Sequence, residues 1–203
     1  DLIVIGGGPA GYGAALYGSA AGLDVALVEK DKVGGTCLHR GCIPAKELLE
    51  TAHVFRTVGE ASRFGVGASA PTLDFGTSMG RKAEVVGTLF KGLSGLLKSR
   101  KVTMFSGVGT LQADRSVVVT GLDGERAQIS GDAVILASGS APRTIPGFYV
   151  DGTRVLTSDE VFELQSLPAR VAVIGGGAIG CEFASTFADL RAPVTILEGL
   201  PKI

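Results

Sequence analysis

Residues 2–11 read LIVIGGGPAG, an unbroken apolar run that leads directly into three glycines. A short apolar run of this kind is typical of a buried strand in a parallel sheet. The following residues, 12–21, are rich in Ala and Leu and predict a helix, and residues 24–29 predict a second strand that ends on Glu29. This order of strand, G-x-G-x-x-G turn, helix, strand and acid predicts a dinucleotide-binding βαβ unit.

The glycines of this turn have different predicted tasks. Gly6 permits the tight turn, Gly8 lets the backbone approach a pyrophosphate, and Gly11 allows the helix to pack closely on the strand. The start of the helix would bind the phosphates through its free backbone N–H groups. Glu29 would accept a hydrogen bond from a ribose hydroxyl. A glycine-rich turn without a ligand is the alternative interpretation.

The same pattern returns at residues 171–198, where a VAVI strand, a GGGAIG turn and a helical segment at 181–190 precede a strand that ends on Glu198. Gly175 and Glu198 lie 169 residues after Gly6 and Glu29. Two such units in one frame predict two dinucleotide sites. Because a carboxylate at this position pairs with a ribose 2′-hydroxyl and repels a 2′-phosphate, Glu198 favours NAD over NADP.

Between the two units lies GGTCLHRGCIPAK, residues 34–46, with two cysteines five positions apart. Pro44 suits the first turn of a helix, where its missing N–H costs nothing, and residues 46–55 repeat apolar side chains at helical spacing. Cys42 is therefore expected at a helix N-terminus, where the helix dipole favours a thiolate. A helical turn upstream would bring Cys37 into disulfide range. The stretch predicts a reversible dithiol.

Two other interpretations of the cysteine pair remain. The cysteines could be two small buried hydrophobic residues. A zinc site needs about four ligands, and besides the pair the chain offers one further cysteine and two histidines, Cys181, His39 and His53. The spacing also differs from the C-x-x-C of zinc sites, so no metal site is expected.

The composition excludes several classes of function. The chain has 203 residues, of which 45% are hydrophobic, and a net charge of −1, which argues against nucleic acid and acidic membrane surfaces as partners. No apolar run approaches the ~18 residues of a membrane span. The chain begins on a strand without a charged leader, and its three cysteines fit a reducing compartment, so we expect a cytoplasmic protein without a signal peptide.

The stretch Gly-Gly-Thr-Cys-x4-Cys-Ile-Pro-x-Lys resembles the redox-active signature of the flavin disulfide reductases, and among them most that of the dihydrolipoamide dehydrogenases. Glutathione reductases and mercuric reductases are relatives. The Leu-His-Arg at 38–40 departs from the Leu-Asn-Val of many members but leaves both cysteines and the lysine in place. ASGSAPR at 137–143 resembles the segment where the family leaves its flavin domain, and GVGT at 107–110 resembles a backbone contact near the adenine.

The resemblance implies an α/β fold with two Rossmann-like FAD/NAD(P)-binding domains of the glutathione-reductase type and a β-meander beside the parallel sheet. An FAD-binding domain with the dithiol is expected over 1–143 and the start of an NAD-binding domain over 144–203. The implied FAD contacts are Gly6, Gly8, Pro9, Ala10, Gly11, Glu29, Lys30, Gly35, Thr36, Lys46, Gly109, Ala137, Ser138 and Gly139. The implied NAD contacts are Gly175, Gly177, Ala178, Ile179, Gly180 and Glu198.

The resemblance also implies a mechanism in which dihydrolipoamide, free or on lipoyl domains, is oxidised to lipoamide. The substrate dithiol attacks the Cys37–Cys42 disulfide at Cys37, and Cys42, nearer the flavin, passes electrons to it while NAD is finally reduced. Lys46 is expected near the flavin ring and paired with Glu182. Cys181 is interpreted as a packing residue, and His39 as a residue of a solvated loop.

The general base of the family, a histidine held by a glutamate in a C-terminal domain of a homodimer, has no counterpart in this sequence. We therefore expect the chain to be the N-terminal part of a longer homodimeric enzyme. Two alternatives remain open. One is another FAD-dependent dithiol reductase of the mercuric, glutathione or mycothione type, and the other is a truncated flavin-binding module without catalysis.

Overall fold

A computed structural model describes residues 1–202 of the chain. They divide into two compact units, Asp1–His39 with Val86–Ala141, and Arg40–Val85 with the chain from Pro142 onward. The domain boundary at residue 143 stays a prediction.

Strands and helices alternate near both ends of the chain, and five successive strands lie between residues 103 and 136. In chain order the elements are β1 (Leu2–Ile5), α1 (Pro9–Ala20), β2 (Val25–Glu29), α2 (Gly35–Arg40), α3 (Cys42–Gly59), a 3-10 helix (Ala61–Phe64), α4 (Phe75–Ser99), β3 (Thr103–Ser106), β4 (Val108–Leu111), β5 (Val117–Thr120), β6 (Arg126–Ile129), β7 (Ala133–Leu136), α5 (Ser158–Val161), β8 (Val171–Ile174), α6 (Ala178–Asp189) and β9 (Val194–Leu197).

The first unit is built on a parallel sheet with strand order β3-β2-β1-β7. Alternate residues of the central strand β1 enter two different cores. Leu2 and Val4 pack in a cluster with α1, whereas Ile3 and Ile5 pack in a cluster with β5. Because both faces of the strand are buried, its sequence is an unbroken apolar run. The predicted parallel sheet is confirmed.

A three-stranded antiparallel meander with the order β4-β5-β6 covers one face of this unit. Val117 and Val119 of β5 are its buried residues. The meander is therefore confirmed. The strand β4 was missed in the pattern because GVGT lacks an apolar–polar alternation, and its Gly109 instead packs against Ile5 and Val28.

The second unit contains the parallel pair β8-β9 and the helices α3, α5 and α6. Its core is a cluster of Leu48 from α3 with Phe162, Phe183, Phe187 and Ala192. The helix α5 begins at Ser158, and its N-cap is Thr157. Thr157 forms a capping box with Glu160. Within residues 1–202, no helix is long and apolar enough to cross a membrane.

Candidate functional site

The first glycine turn lies where β1 ends, and it continues directly into α1. The helix begins at Pro9, three residues before the predicted start, so the turn and the first helical residues form one structure. Gly6 has φ +108°, and a Cβ there would lie only 2.1 Å from the carbonyl oxygen of Ala137. A Cβ on Gly11 would lie 1.6 Å from the oxygen of Gly6. Both positions therefore require glycine.

Gly8, the middle glycine of the motif, faces open space instead. The nearest atom to a Cβ at this position is the Cα of Gly35, at 3.9 Å. Gly35 itself has φ +57° and lies against Gly8, while Gly34 donates a backbone hydrogen bond of 2.8 Å to Gly7. No side chain caps α1, and the backbone of Gly35 lies beside its start. This shape fits the approach of a pyrophosphate.

The strand order places this turn at a switch point of the sheet. The chain runs from β1 outward through β2 to β3, and β7 then returns on the other side of β1. Gly6 at the end of β1 and Ala137 at the end of β7 meet there, since Ala137 donates a hydrogen bond to Ile5. Ligands of open α/β sheets bind at such a point. Ser138 and Gly139 follow directly and are exposed.

The other predicted FAD contacts of the first unit include two exposed residues near the glycine turn and one glycine that lies against the core. Lys30 follows Glu29 and is exposed, and Thr36 is an exposed residue of α2. Gly109 lies on β4 with its free face against the core, where a Cβ would lie 3.1 Å from Ile5. Its backbone contact with the cofactor stays a prediction.

The second glycine turn shares three features with the first. Gly175 has φ +104°, a Cβ on Gly180 would lie 2.1 Å from the oxygen of Gly175, and Gly177 has no atom within 4 Å of such a Cβ. The helix α6 begins at Ala178, three residues before the predicted start at Cys181, and no side chain caps it. Ala178 and Ile179 are exposed at this helix start.

In each βαβ unit, the acid at the end of the second strand accepts a hydrogen bond from the glycine turn of the same βαβ unit. Glu29 accepts hydrogen bonds from Gly7 N at 2.6 Å and Asp31 N at 2.8 Å. Glu198 accepts equivalent bonds from Gly176 N at 2.7 Å and Leu200 N at 2.8 Å. The bond from Gly176, followed by that from Leu200, lowers the pKa of Glu198. Carboxylate oxygens have several lone-pair positions, so these acids retain capacity for a ribose hydroxyl.

The cysteine stretch forms two successive helices that are separated by Gly41. Cys37 lies in α2 and Cys42 is the first residue of α3, and the two are disulfide-bonded. The predicted placement of Cys42 at a helix N-terminus is confirmed. Cys42 is exposed and Cys37 is half-buried; which sulfur meets the substrate stays a prediction. Pro44 is buried in the first turn of α3.

One turn along α3, Lys46 forms an ion pair with Glu182 of α6, with Nζ and Oε1 2.5 Å apart. The predicted pairing is confirmed. The side chains are 58% and 39% exposed, so water screens the pair and its direct contribution to stability is small. Its consequence is geometric, because it places an ammonium on the face of α3 that also carries Cys42 at i−4.

Two features of this region were missed in the sequence. Arg56, farther along α3, forms an ion pair of 2.9 Å with Asp189 at the end of α6. The interpretation of His39 as a solvated loop residue was wrong, since His39 lies on α2 and its Nε2 is 2.9 Å from the carbonyl oxygen of Val33. No local signal indicates the pair of Arg56 with Asp189, because the two residues are 133 positions apart. Cys181 contacts the oxygen of Gly176 through its sulfur at 3.2 Å, in agreement with a packing role.

The protein-family model for the pyridine nucleotide-disulphide oxidoreductases matches residues 1–203, the whole chain. The chain belongs to this family. The flavin and pyridine-nucleotide chemistry of the family agrees with two glycine turns and a disulfide in one chain. The α/β fold and the redox-active disulfide therefore agree with the family.

Curated relatives and solved structures extend this assignment. Dihydrolipoyl dehydrogenases from Chlamydia pneumoniae and Bacillus subtilis are 43% and 41% identical to the chain over its full length, which covers 43% and 44% of those proteins. The crystal structure of LpdA from Mycobacterium tuberculosis matches 99% of the chain with a TM-score of 0.91 and 27% identity, over 45% of its own length.

The HOCl-induced flavoprotein disulfide reductase RclA from Escherichia coli matches all of the chain with a TM-score of 0.83 and 30% identity, over 42% of its own length. The chain therefore spans less than half the length of the relatives and structures it matches.

Proposed function

We propose that this chain belongs to a flavin-dependent dihydrolipoyl dehydrogenase, which oxidises dihydrolipoamide to lipoamide and reduces NAD. The observation that carries the proposal is the Cys37–Cys42 disulfide at the start of α3, in a chain with one dinucleotide turn before the pair and another after it. The relatives named dihydrolipoyl dehydrogenase, about two-fifths identical over the whole chain, support the choice of substrate.

The residues of the first unit fit FAD. Gly8 and Gly35 leave a bare backbone surface beside the uncapped start of α1, and Glu29 lies at the end of β2. The pyrophosphate would bind at Gly8 to Gly11 and the adenosine ribose at Glu29. When bound, FAD supplies a two-electron acceptor between the dithiol and NAD. We extend this assignment to five further residues that lie at or follow the ends of β2 and β7 or belong to α2: Lys30, Thr36, Ala137, Ser138 and Gly139.

The disulfide performs the exchange with the substrate. A thiolate of dihydrolipoamide attacks Cys37 Sγ, the bond to Cys42 breaks, and Cys42 leaves as a thiolate. The second substrate thiol then attacks the mixed disulfide, so that lipoamide leaves with its own disulfide and the protein retains two reduced sulfurs. The N-terminus of α3 stabilises the Cys42 thiolate because the helix dipole is positive there.

The ion pair of Lys46 with Glu182 orients a positive charge near these sulfurs. Lys46 is four residues after Cys42, and on a helix such residues lie on the same face. Glu182 lies on α6, the helix that begins with the second glycine turn. We assign Lys46 to the neighbourhood of the flavin ring and Glu182 to holding it in place.

The second unit fits a pyridine nucleotide, and Glu198 favours NAD. Its carboxylate is held at the turn by the Gly176 N–H, in the place where a ribose 2′-hydroxyl would bind. A 2′-phosphate would bring negative charge to this carboxylate, and residues 199–203 contain no arginine to offset it. Contacts through Gly175, Gly177, Ala178, Ile179 and Gly180 complete the assignment.

The full-length protein tests this function. Its visible spectrum should show a flavin, and anaerobic reduction with NADH should produce a long-wavelength band from the Cys42 thiolate beside the flavin. Cys42→Ser should abolish both this band and the dihydrolipoamide-dependent reduction of NAD, whereas the matched control Cys181→Ser should retain both. A protein without flavin, or a Cys42→Ser variant that keeps its activity, would overturn the proposal.

A second candidate function is a different disulfide reductase, since RclA is 30% identical to the chain and covers all of it. Turnover with glutathione disulfide, mycothione or mercuric ion, but not with dihydrolipoamide, would select this candidate. Bound flavin without any turnover would indicate a non-catalytic flavin-binding module. In either catalytic case we propose a homodimer in the cytoplasm.

A further inference from the structure

The helix that carries Cys37 is too short to be stable alone. α2 has six residues, and isolated helices shorter than about 12 residues are marginal in water. The segment also begins on Gly34 and Gly35, both with positive φ, and glycines lose the most conformational freedom on ordering. In the oxidised protein the disulfide constrains α2 at Cys37. After reduction this covalent constraint is absent, and only noncovalent contacts hold Cys37 in place.

His39 makes two such contacts, both with the main core of the first unit. Its Nε2 lies 2.9 Å from the carbonyl oxygen of Val33. A carbonyl oxygen only accepts, so we assign the ring proton to Nε2. The ring also meets Phe90 of α4 edge-on, with centroids 5.3 Å apart and planes at 67°, a favourable geometry for aromatic pairs.

Both partners of His39 are fixed by packing. Val33 is 6% exposed and belongs to the core cluster that contains Leu2 and Leu27, and Phe90 packs against the same cluster. His39 therefore connects α2 to the buried core of the unit. Leu38 of α2 is also buried and lies against Gly34.

We propose that His39 is a positioning residue that keeps α2 folded, and Cys37 within reach of Cys42, while the two sulfurs are reduced. The preformed position gives the two thiols a high effective concentration for closing the disulfide again. The proposal rests on the proposed function, because it assigns His39 to the redox cycle of this pair. The reaction is a two-electron, two-proton reduction of the disulfide to two thiols.

The main test is His39→Leu, which removes the hydrogen bond and the aromatic contact but keeps an apolar side chain. The oxidised form still has its disulfide, whereas the reduced form gains the freedom of an unfolded α2. Disulfide closure must then order the helix again, so its equilibrium constant should fall about tenfold. This change raises the midpoint potential of the Cys37–Cys42 pair by about 30 mV.

Two further variants separate the contacts. His39→Gln keeps an N–H donor near the position of Nε2, and His39→Phe keeps the ring against Phe90, so each should show part of the shift. The matched control is His53→Leu on α3, since His53 is exposed and its ring nitrogen is 3.4 Å from Arg56. It should leave the potential unchanged.

The measurement uses the full-length protein with its flavin bound. Samples are equilibrated in buffers of reduced and oxidised dithiothreitol, in which dithiothreitol becomes a cyclic disulfide as the protein disulfide is reduced. Free thiols are then blocked and residues 34–46 are analysed by mass spectrometry. Hydrogen exchange of α2 should rise in His39→Leu only in the reduced form.

A folded His39→Leu protein with less than a twofold change in the equilibrium constant would overturn the proposal, and so would an equal shift in His53→Leu. If His39→Leu does not fold, the Gln and Phe variants decide by the same criterion. The titration needs neither dihydrolipoamide nor NAD. A wild-type protein without turnover, but with the expected shift in the variants, would therefore refute the proposed function and leave the role of His39 standing.

Discussion

In the second glycine turn we predict different effects for two substitutions of the same kind, Gly177→Ala and Gly180→Ala. A methyl group on Gly177 meets no atom within 4 Å, whereas on Gly180 it would lie 2.1 Å from the oxygen of Gly175. The first substitution therefore occupies the space in which a pyrophosphate would bind, and the second pushes the helix α6 away from its strand.

The magnitudes follow from these distances. For Gly177→Ala, a poorer N-cap costs about 0.5–1 kcal/mol, and the smaller entropy of the unfolded chain offsets about the same amount. The free energy of unfolding should therefore change by less than about 1 kcal/mol. Loss of one charge-assisted hydrogen bond to a phosphate costs about 1.5–3 kcal/mol, so the KM for NAD should rise about 10- to 100-fold. Gly180→Ala should lose about 1–3 kcal/mol of stability through overpacking.

The assay combines NAD saturation kinetics with urea unfolding of the full-length protein. FAD content should stay at the wild-type level in both variants, since the first turn is untouched. Gly13→Ala in α1 is the matched control, because its added methyl also meets no atom within 4 Å, and it should leave the KM unchanged. The reasoning would be refuted by a Gly177→Ala protein that keeps a wild-type KM for NAD, or one that loses as much stability as Gly180→Ala.

Three further predictions concern the second unit and its neighbourhood. Asp189→Ala should lower the free energy of unfolding, measured in urea, by about 1 kcal/mol, because the Asp189 side chain is only 19% exposed in its ion pair. Arg63→Ala should change this free energy by less than about 0.5 kcal/mol, because the Arg63 side chain is 72% exposed in its own ion pair. Phe187 is 4% exposed, so Phe187→Ala should lower the free energy of unfolding by about 3–5 kcal/mol in the same assay. Phe187→Leu should lower it by less than about 1.5 kcal/mol. Equal losses in the two variants would contradict this packing. The pKa of Asp151 is lowered to about 2 by backbone hydrogen bonds, first that from Val155. The contribution of the ionised Asp151 to the turn at residues 151–155 should therefore be complete above pH 4 and disappear as the pH falls towards 2. Hydrogen exchange of this turn would detect the loss, and opening of the turn already at pH 6 would contradict the prediction.

Much of the candidate site could be predicted because its signals are local. The spacing of Gly6, Gly8 and Gly11 reflects one turn and the first residues of one helix, and the same holds for the second unit. Cys42 and Pro44 similarly indicate a helix start that the structure confirms. Such patterns are determined by neighbouring residues in the chain, so composition and spacing are sufficient to find them.

The contacts that hold these local parts together had weaker signals. The pairing of Lys46 with Glu182 was predicted only from resemblance, since the two residues are 136 positions apart. The pair of Arg56 with Asp189 was not predicted at all. Charged residues on two exposed helix faces have many possible partners, and only the packing of α3 against α6 selects these.

The sequence by itself determined the two βαβ units, the order of turn, dithiol and second turn, and the position of Cys42 at a helix start. The tertiary structure decided which face each glycine presents, so that Gly8 and Gly177 are open and Gly11 and Gly180 are enclosed. It also decided that His39 reaches the core through Val33 and Phe90. The reason is that propensity and spacing act between chain neighbours, whereas close approach depends on atoms that only folding brings together.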